Sequence, residues 1–182
     1  MRDLVIIGGG PAGEAAAYKG AKLGAAVTVI EKDLLGGECP FWACMPSKTL
    51  LDSARRRHGG EDYPWKRASD RRDWQISREG TDYPSDAGHA KGFEDAGIEL
   101  IRGSGRMVGT GRVEATPNDG GKPIGIEAGR VILAAGSTPF IPPIEGLETT
   151  GYWNSRDATS TPTRASRPSA GQSRRSYVGR LS

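Results

Sequence analysis

The sequence predicts an α/β fold with a parallel sheet at its centre, on three observations. An apolar run, Leu4 to Ile7, leads directly into a glycine-rich turn, Gly8-Gly9-Gly10-Pro11-Ala12-Gly13. A stretch of small residues at helical spacing follows the turn. A second apolar run, Ala26 to Ile30, then ends in Glu31. Strand, turn, helix and strand in this order make a βαβ unit, whose crossover is right-handed and whose strands lie parallel.

Each element has a local cause. Asp3 to Ile7 carries four apolar residues in a row, as a strand covered on both faces does. Pro11 to Leu23 reads as a helix, with Pro11 in its first turn and Gly24 as its stop. Ala12, Gly13, Ala15, Ala16 and Ala17 let that helix lie close on a sheet. Cys44 to His58 reads as a second long helix, with Leu50, Leu51 and Ala54 on one face. Residues 59–90 mix charge, Gly, Pro, Tyr and Trp, and suit helical pieces and loops. Sheet signals return at Ile98 to Arg102. Arg106 to Thr116 and Lys122 to Glu127 flank an Asn118-Asp119-Gly120-Gly121 turn and predict a small β-meander. Arg130 to Ala134 reads as a further buried strand that ends at Gly136. From Ser155 onward Ser, Thr, Arg and Pro dominate, so a folded domain over residues 1–154 and a disordered tail over 155–182 are expected.

Composition narrows the function classes. The chain has 182 residues, about one domain's worth. Its mean hydropathy is −0.51, and no segment approaches the roughly 20 apolar residues that cross a bilayer. The N-terminal apolar run is too short for a secretory signal. A cytoplasmic protein without membrane partners is expected. The tail holds six arginines and one acid, +5 against +3 for the whole chain, so residues 1–154 are net acidic. The basic character therefore belongs to the tail. Its arginines are irregularly spaced and Tyr177 is their only aromatic companion, so no nucleic-acid partner is expected.

The turn Gly8-x-Gly10-x-x-Gly13 assigns each glycine a task. The first makes the turn, the second admits a pyrophosphate to the backbone, and the third packs helix on strand. Unpaired amides at the helix start then face the phosphates. Glu31, 18 residues past Gly13, stands where a carboxylate accepts ribose hydroxyls. The alternative is a tight βα turn with a solvated glutamate at the strand end.

The only two cysteines, Cys39 and Cys44, lie in GGECPFWACMPSK. Cys44 falls at a predicted helix start, where the dipole favours a thiolate. Lys48 follows four residues later on the same helical face. Two other readings compete: a pair of buried structural thiols, and a zinc site. Zinc needs four ligands, and the only histidines are His58 and His89.

The run GGECPFWACMPSK resembles the redox-active segment of the class I pyridine nucleotide–disulfide oxidoreductases, the family of dihydrolipoamide dehydrogenase and mercuric reductase. LVIIGGGPAGEAAA and IEK resemble its Rossmann-like FAD-binding unit, and VILAAGSTPFIPPIEG its second FAD-contacting segment. The resemblance covers roughly residues 3–154. It implies FAD as cofactor, and NAD(P)H as electron donor only if the family's NAD(P)-binding domain is supplied. It implies a small-molecule disulfide, dithiol or metal ion as substrate. Gly8, Gly10, Pro11, Ala12 and Gly13 would line the pyrophosphate, and Glu31 and Lys32 the adenosine end. Gly37 and Glu38 would follow the cofactor toward the cysteines. Cys39 would meet substrate, Cys44 would face the flavin, and Lys48 would approach its N5. Ala135 and Gly136 would contact FAD from the far strand, and Gly105 its adenine.

Three departures stand out. Glu38 replaces a threonine usual before the first cysteine, and Ala135 a threonine in the later turn. The chain also shows no second GxGxxG, no His–Glu acid–base pair and no homodimer interface domain. Two functions follow: the flavin-and-dithiol half of an oxidoreductase, or a truncated nucleotide-binding fragment without turnover.

Overall fold

The computed structural model describes residues 1–49, 51 and 85–160. In chain order the elements are β1 (Arg2–Ile7), α1 (Pro11–Lys22), β2 (Val27–Glu31), α2 (Glu38–Phe41) and α3 (residues 44–49). They continue with α4 (Ala87–Asp95), β3 (Glu99–Gly109), β4 (Arg112–Pro117), β5 (Ile124–Leu133), α5 (Leu147–Thr150) and α6 (Ser155–Ser160). Two compact units result. The first comprises Met1–Phe41 and Arg78–Ser137, the second Trp42–Ser77 and Thr138–Ser182.

In the first unit β1 lies between β2 and β5, parallel to both, with Ile7 opposite Ile30 on one side and Leu133 on the other. β2 pairs in parallel with β3. β4 joins β3 and β5 in antiparallel fashion and closes the five strands into a ring. The predicted parallel sheet and β-meander are thus one continuous surface.

The boundaries differ from the sequence expectation at two places. Ile98–Arg102 and Arg106–Thr116 are not separate strands. β3 runs unbroken from Glu99 to Gly109, pairs with β2 through Arg102 and with β4 from Gly103. The chain reverses at Gly111, whose φ of +65° suits glycine. Likewise β5 joins Lys122–Glu127 to Arg130–Ala134, pairing first with β4 and then with β1. The reason lies in Gly103. A Cβ there would stand 2.3 Å from the Thr116 carbonyl oxygen, so glycine marks a strand changing partners at close quarters, not a break.

Alternation along the strands sorts the core into two layers. Ile6, Val27 and Val29 face the helices and pack with Ala17 of α1, Leu35, Phe93 of α4 and Ile98. Val5, Ile7 and Ile30 face the ring interior with Val113, Ala115 and Ala128. Phe93 is fully buried and meets the Tyr18 ring edge-on at 5.3 Å. Burying such a ring stabilises the fold by about 1.5–3 kcal/mol. α1 ends as expected, with Gly24 at φ +80°.

In the second unit α3 starts at Cys44, as predicted, and the Ser47 hydroxyl donates to the Cys44 carbonyl at 3.2 Å. The remainder of the predicted helix to His58, apart from residue 51, lies outside the described residues. So do residues 59–84 and the tail beyond Ser160. The first tail residues are helical, against expectation. Asn154 Oδ1 accepts from the Arg156 amide at 2.8 Å, while Asp157 Oδ2 accepts from the Asn154 amide at 2.9 Å. This reciprocal cap starts α6 at a position that composition alone assigned to the tail. α6 also holds Trp42: the Arg156 guanidinium lies 4.3 Å from its ring centroid, and the Thr159 hydroxyl donates to its carbonyl at 3.0 Å.

Candidate functional site

The three fingerprint glycines sit in unlike surroundings. Gly8 has φ +103°, and a Cβ there would lie 2.2 Å from the Ala134 carbonyl oxygen. At Gly13 a Cβ would lie 1.9 Å from the Gly8 carbonyl oxygen. Both positions are filled by backbone, as the turn and packing roles require. Gly10 is different. Its Cβ would meet nothing nearer than Gly37 Cα, at 3.8 Å. Gly37, at φ +77°, approaches from the other side, and its own Cβ would lie 2.9 Å from Gly10 Cα. Two bare backbones therefore face each other at the start of α1.

Gly10 is the N-cap of α1 and carries no side chain to cap the first turn. Pro11 has no amide hydrogen, which leaves the Ala12 and Gly13 amides at the positive end of a 12-residue helix. Pro11 and Ala12 are exposed. Such an end, walled by glycine, suits an anionic diphosphate.

Glu31 ends β2 and is buried, so it is not the solvated residue of the alternative reading. Its Oε2 accepts from the Gly9 amide at 2.6 Å and its Oε1 from the Asp33 amide at 2.7 Å. One carboxylate thus ties the glycine turn to the end of β2. Lys32 is exposed, and its carbonyl accepts from Asn118 Nδ2 at 2.7 Å.

The loop Leu34–Gly37 is held by residues that sequence reasoning missed. Asp86 Oδ2 accepts from the Leu35 amide at 2.5 Å and from Arg102 Nη1 at 2.5 Å. Arg102 Nη1 also donates to the Asp33 carbonyl at 3.2 Å. Burial opposes ionisation of Asp86, but the Arg102 hydrogen bond, the Leu35 amide and the Arg102 charge outweigh it and hold the carboxyl below its usual range. The sign follows from the depressed value: this stabilisation is complete at neutral pH, above the unfolded carboxyl's pKa, and disappears as pH falls through the folded one. Asp86→Ala is expected to lower stability by about 1–2 kcal/mol at pH 7, because Arg102 is partly exposed. The gap between variant and parent in denaturant melts should shrink below about pH 4. An unchanged gap at low pH would reject the assignment.

His89 is a second missed residue. Its Nδ1 lies 2.6 Å from Glu14 Oε1, which links α4 to α1. The partners are 75 residues apart, a separation no motif reports.

The remaining predicted residues fall as follows. Glu38 and Cys39 lie in α2 of the first unit, both half-buried. Cys44 is half-buried and Lys48 exposed, both in α3 of the second unit. Gly105 lies on β3, where its missing side chain points at Ile7 and Ile30, each 3.2 Å from a Cβ built there. Ala135 and Gly136 follow β5 and are exposed, Gly136 with φ +66°. Among the described residues no helix is long and apolar enough to cross a membrane.

Residues 2–174 match the family model for pyridine nucleotide-disulphide oxidoreductases. The chain belongs to this family. The pyridine nucleotide-disulphide oxidoreductases are FAD-dependent and take electrons from NAD(P)H. The chain is 32% identical over 165 residues to a mercuric reductase of Shigella flexneri, covering 85% of this chain and 29% of that protein. It is 28% identical over 159 residues to a dihydrolipoyl dehydrogenase of Acholeplasma laidlawii, covering 80% of this chain and 44% of the relative. The solved HOCl-induced flavoprotein disulfide reductase RclA of Escherichia coli superposes with a TM-score of 0.71 at 24% identity, over 88% of this chain and 34% of that one. The likeness to RclA establishes a shared fold. The chain spans 29–44% of the length of these relatives.

Proposed function

We propose that this chain binds FAD on the Gly8–Gly13 turn and couples it to a Cys39–Cys44 dithiol, as the flavin half of a disulfide oxidoreductase. The observation that carries the reading is the pairing of Gly10 with Gly37 at an uncapped helix start. A Cβ on Gly37 would overlap Gly10, and a larger side chain on Gly10 would fill the gap.

The residues present fit the cofactor's polar groups. The Ala12 and Gly13 amides receive the diphosphate. Glu31 spends one lone pair on each of two backbone amides. A carboxylate has about four acceptor sites, so two remain for ribose hydroxyls. Gly136 and Ala135 contribute backbone from the far strand, and Gly105 backbone toward the adenine end. When bound, the flavin supplies two-electron transfer between a nicotinamide donor and the cysteine pair.

The cysteines divide the work. Cys44 is the flavin-facing sulfur, with Lys48 one helical turn beyond it as the cation that stabilises negative charge. Cys39 is the exchange sulfur. As a thiolate it attacks a substrate disulfide, forms a mixed disulfide and releases one substrate thiol. Cys44 then displaces the second substrate thiol, and the protein disulfide that results accepts two electrons to regenerate the dithiol. The substrate is a small disulfide, dithiol or metal ion, in the cytoplasm, with neither nucleic acid nor membrane as partner.

A spectrum of the purified chain with added FAD tests the reading. Bound flavin absorbing at about 450 nm is expected. Cys44→Ser should keep that absorbance and lose the long-wavelength band that a thiolate beside flavin produces. A band that survives in Cys44→Ser would reassign the flavin-facing sulfur. A colourless chain that refuses FAD would favour the second reading, a nucleotide-binding part without turnover.

A further inference from the structure

His89 lies at the crossing of three segments. From α1, Glu14 Oε1 holds its Nδ1 at 2.6 Å. Its Cε1 and Nε2 stand 3.0 and 3.1 Å from the position a Cβ would take on Gly36. The Phe41 ring meets the imidazole at 63°, centroids 6.1 Å apart. Gly36 has φ +112° and begins the two-glycine turn that leads into α2, and Phe41 ends that helix. Cys39 lies between them. Three residues before His89, Asp86 holds the Leu35 amide of the same loop.

We propose that His89, oriented by Glu14, is a positioning residue for Cys39, bracing the segment Gly36–Phe41 from the α4 side. The carboxylate fixes the ring through Nδ1, which leaves the Nε2 edge and the ring face to set where Gly36 and Phe41 sit. Glycine suits position 36 because φ there is +112° and a Cβ would crowd the imidazole at 3.0 Å. The brace therefore acts through backbone and ring packing, and His89 touches neither substrate nor flavin. The proposal rests on the reading of Cys39 as the exchange thiol, and its test needs no flavin.

The test is site-resolved alkylation of the full chain by iodoacetamide, followed by mass spectrometry. His89→Ala is expected to raise the Cys39 rate by about fivefold, the factor that loss of one modest contact produces in a local opening equilibrium. The Cys44 rate should change less than about twofold, since that sulfur lies beyond the braced segment. Glu14→Ala should reproduce the effect, and the double variant should add little to either single one. His89→Gln, which keeps a side-chain donor for Glu14 but has no ring to pack against Gly36 and Phe41, should lower the raised rate only part of the way. Should His89→Ala fail to fold, Glu14→Ala reads the same brace from the opposite side. An unchanged Cys39 rate, or a parallel rise at both cysteines, overturns the proposal. Failure of the parent chain to take up FAD would sink the flavin reading alone and leave this comparison standing.

Discussion

Gly13→Ala is expected to cost about 3–5 kcal/mol and to leave the chain largely unfolded at room temperature. The added methyl would lie 1.9 Å from the Gly8 carbonyl oxygen, far inside van der Waals contact. No flexible side chain stands there to yield. Relief requires moving the start of α1 away from the end of β1, and α1 contributes Ala17 to the fully buried layer beneath it. The displacement would open that layer along Ile6, Val27 and Val29. Urea denaturation followed by circular dichroism measures the effect. A midpoint close to the parent's would mean that helix and turn can separate without disturbing the core, against the packing described here.

Gly10→Val separates binding from folding. A Cβ at Gly10 meets only Gly37 Cα, at an ordinary contact distance of 3.8 Å. The fold should therefore tolerate the change, with a loss of about 1 kcal/mol from placing a β-branched residue at the N-cap. The branched side chain fills the space between Gly10 and Gly37 and covers the amides of the first helical turn. Affinity for FAD is expected to fall by at least about 100-fold, the loss of backbone contacts to a charged group. Flavin titration at matched stability decides it. Uptake at parental affinity would show that the diphosphate rests elsewhere. The contrast between neighbouring glycines is informative, because one is filled by protein and the other faces open space.

Much of the candidate site's geometry was legible in the sequence because it is local. Gly8, Gly10 and Gly13 lie within six residues, and their roles depend on turn geometry that the spacing encodes. Glu31 was legible for the same reason, as the end of the strand that follows α1. Its hydrogen bonds to Gly9 and Asp33 were not, since they depend on how far the turn folds back. The meander was foreseen, yet its boundaries were misplaced. Gly103 and Gly129 look like breaks in a one-dimensional pattern, whereas in the ring they allow backbones to pass closely. α6 carried a readable signal, Asn154 with Asp157 three residues on, that the Ser- and Arg-rich composition obscured.

By itself the sequence determined the βαβ unit, the glycine-walled start of α1, and the placement of two sulfurs five residues apart. These follow from residue spacing and backbone preference over a few turns of chain. Only the tertiary structure decided which groups hold the loop before Cys39. Asp86 reaches Leu35 across 51 residues and His89 reaches Glu14 across 75. Neither contact has a local energetic signature. Each exists because packing Phe93 into the layer between sheet and helices carries the start of α4 to the edge of the glycine turn.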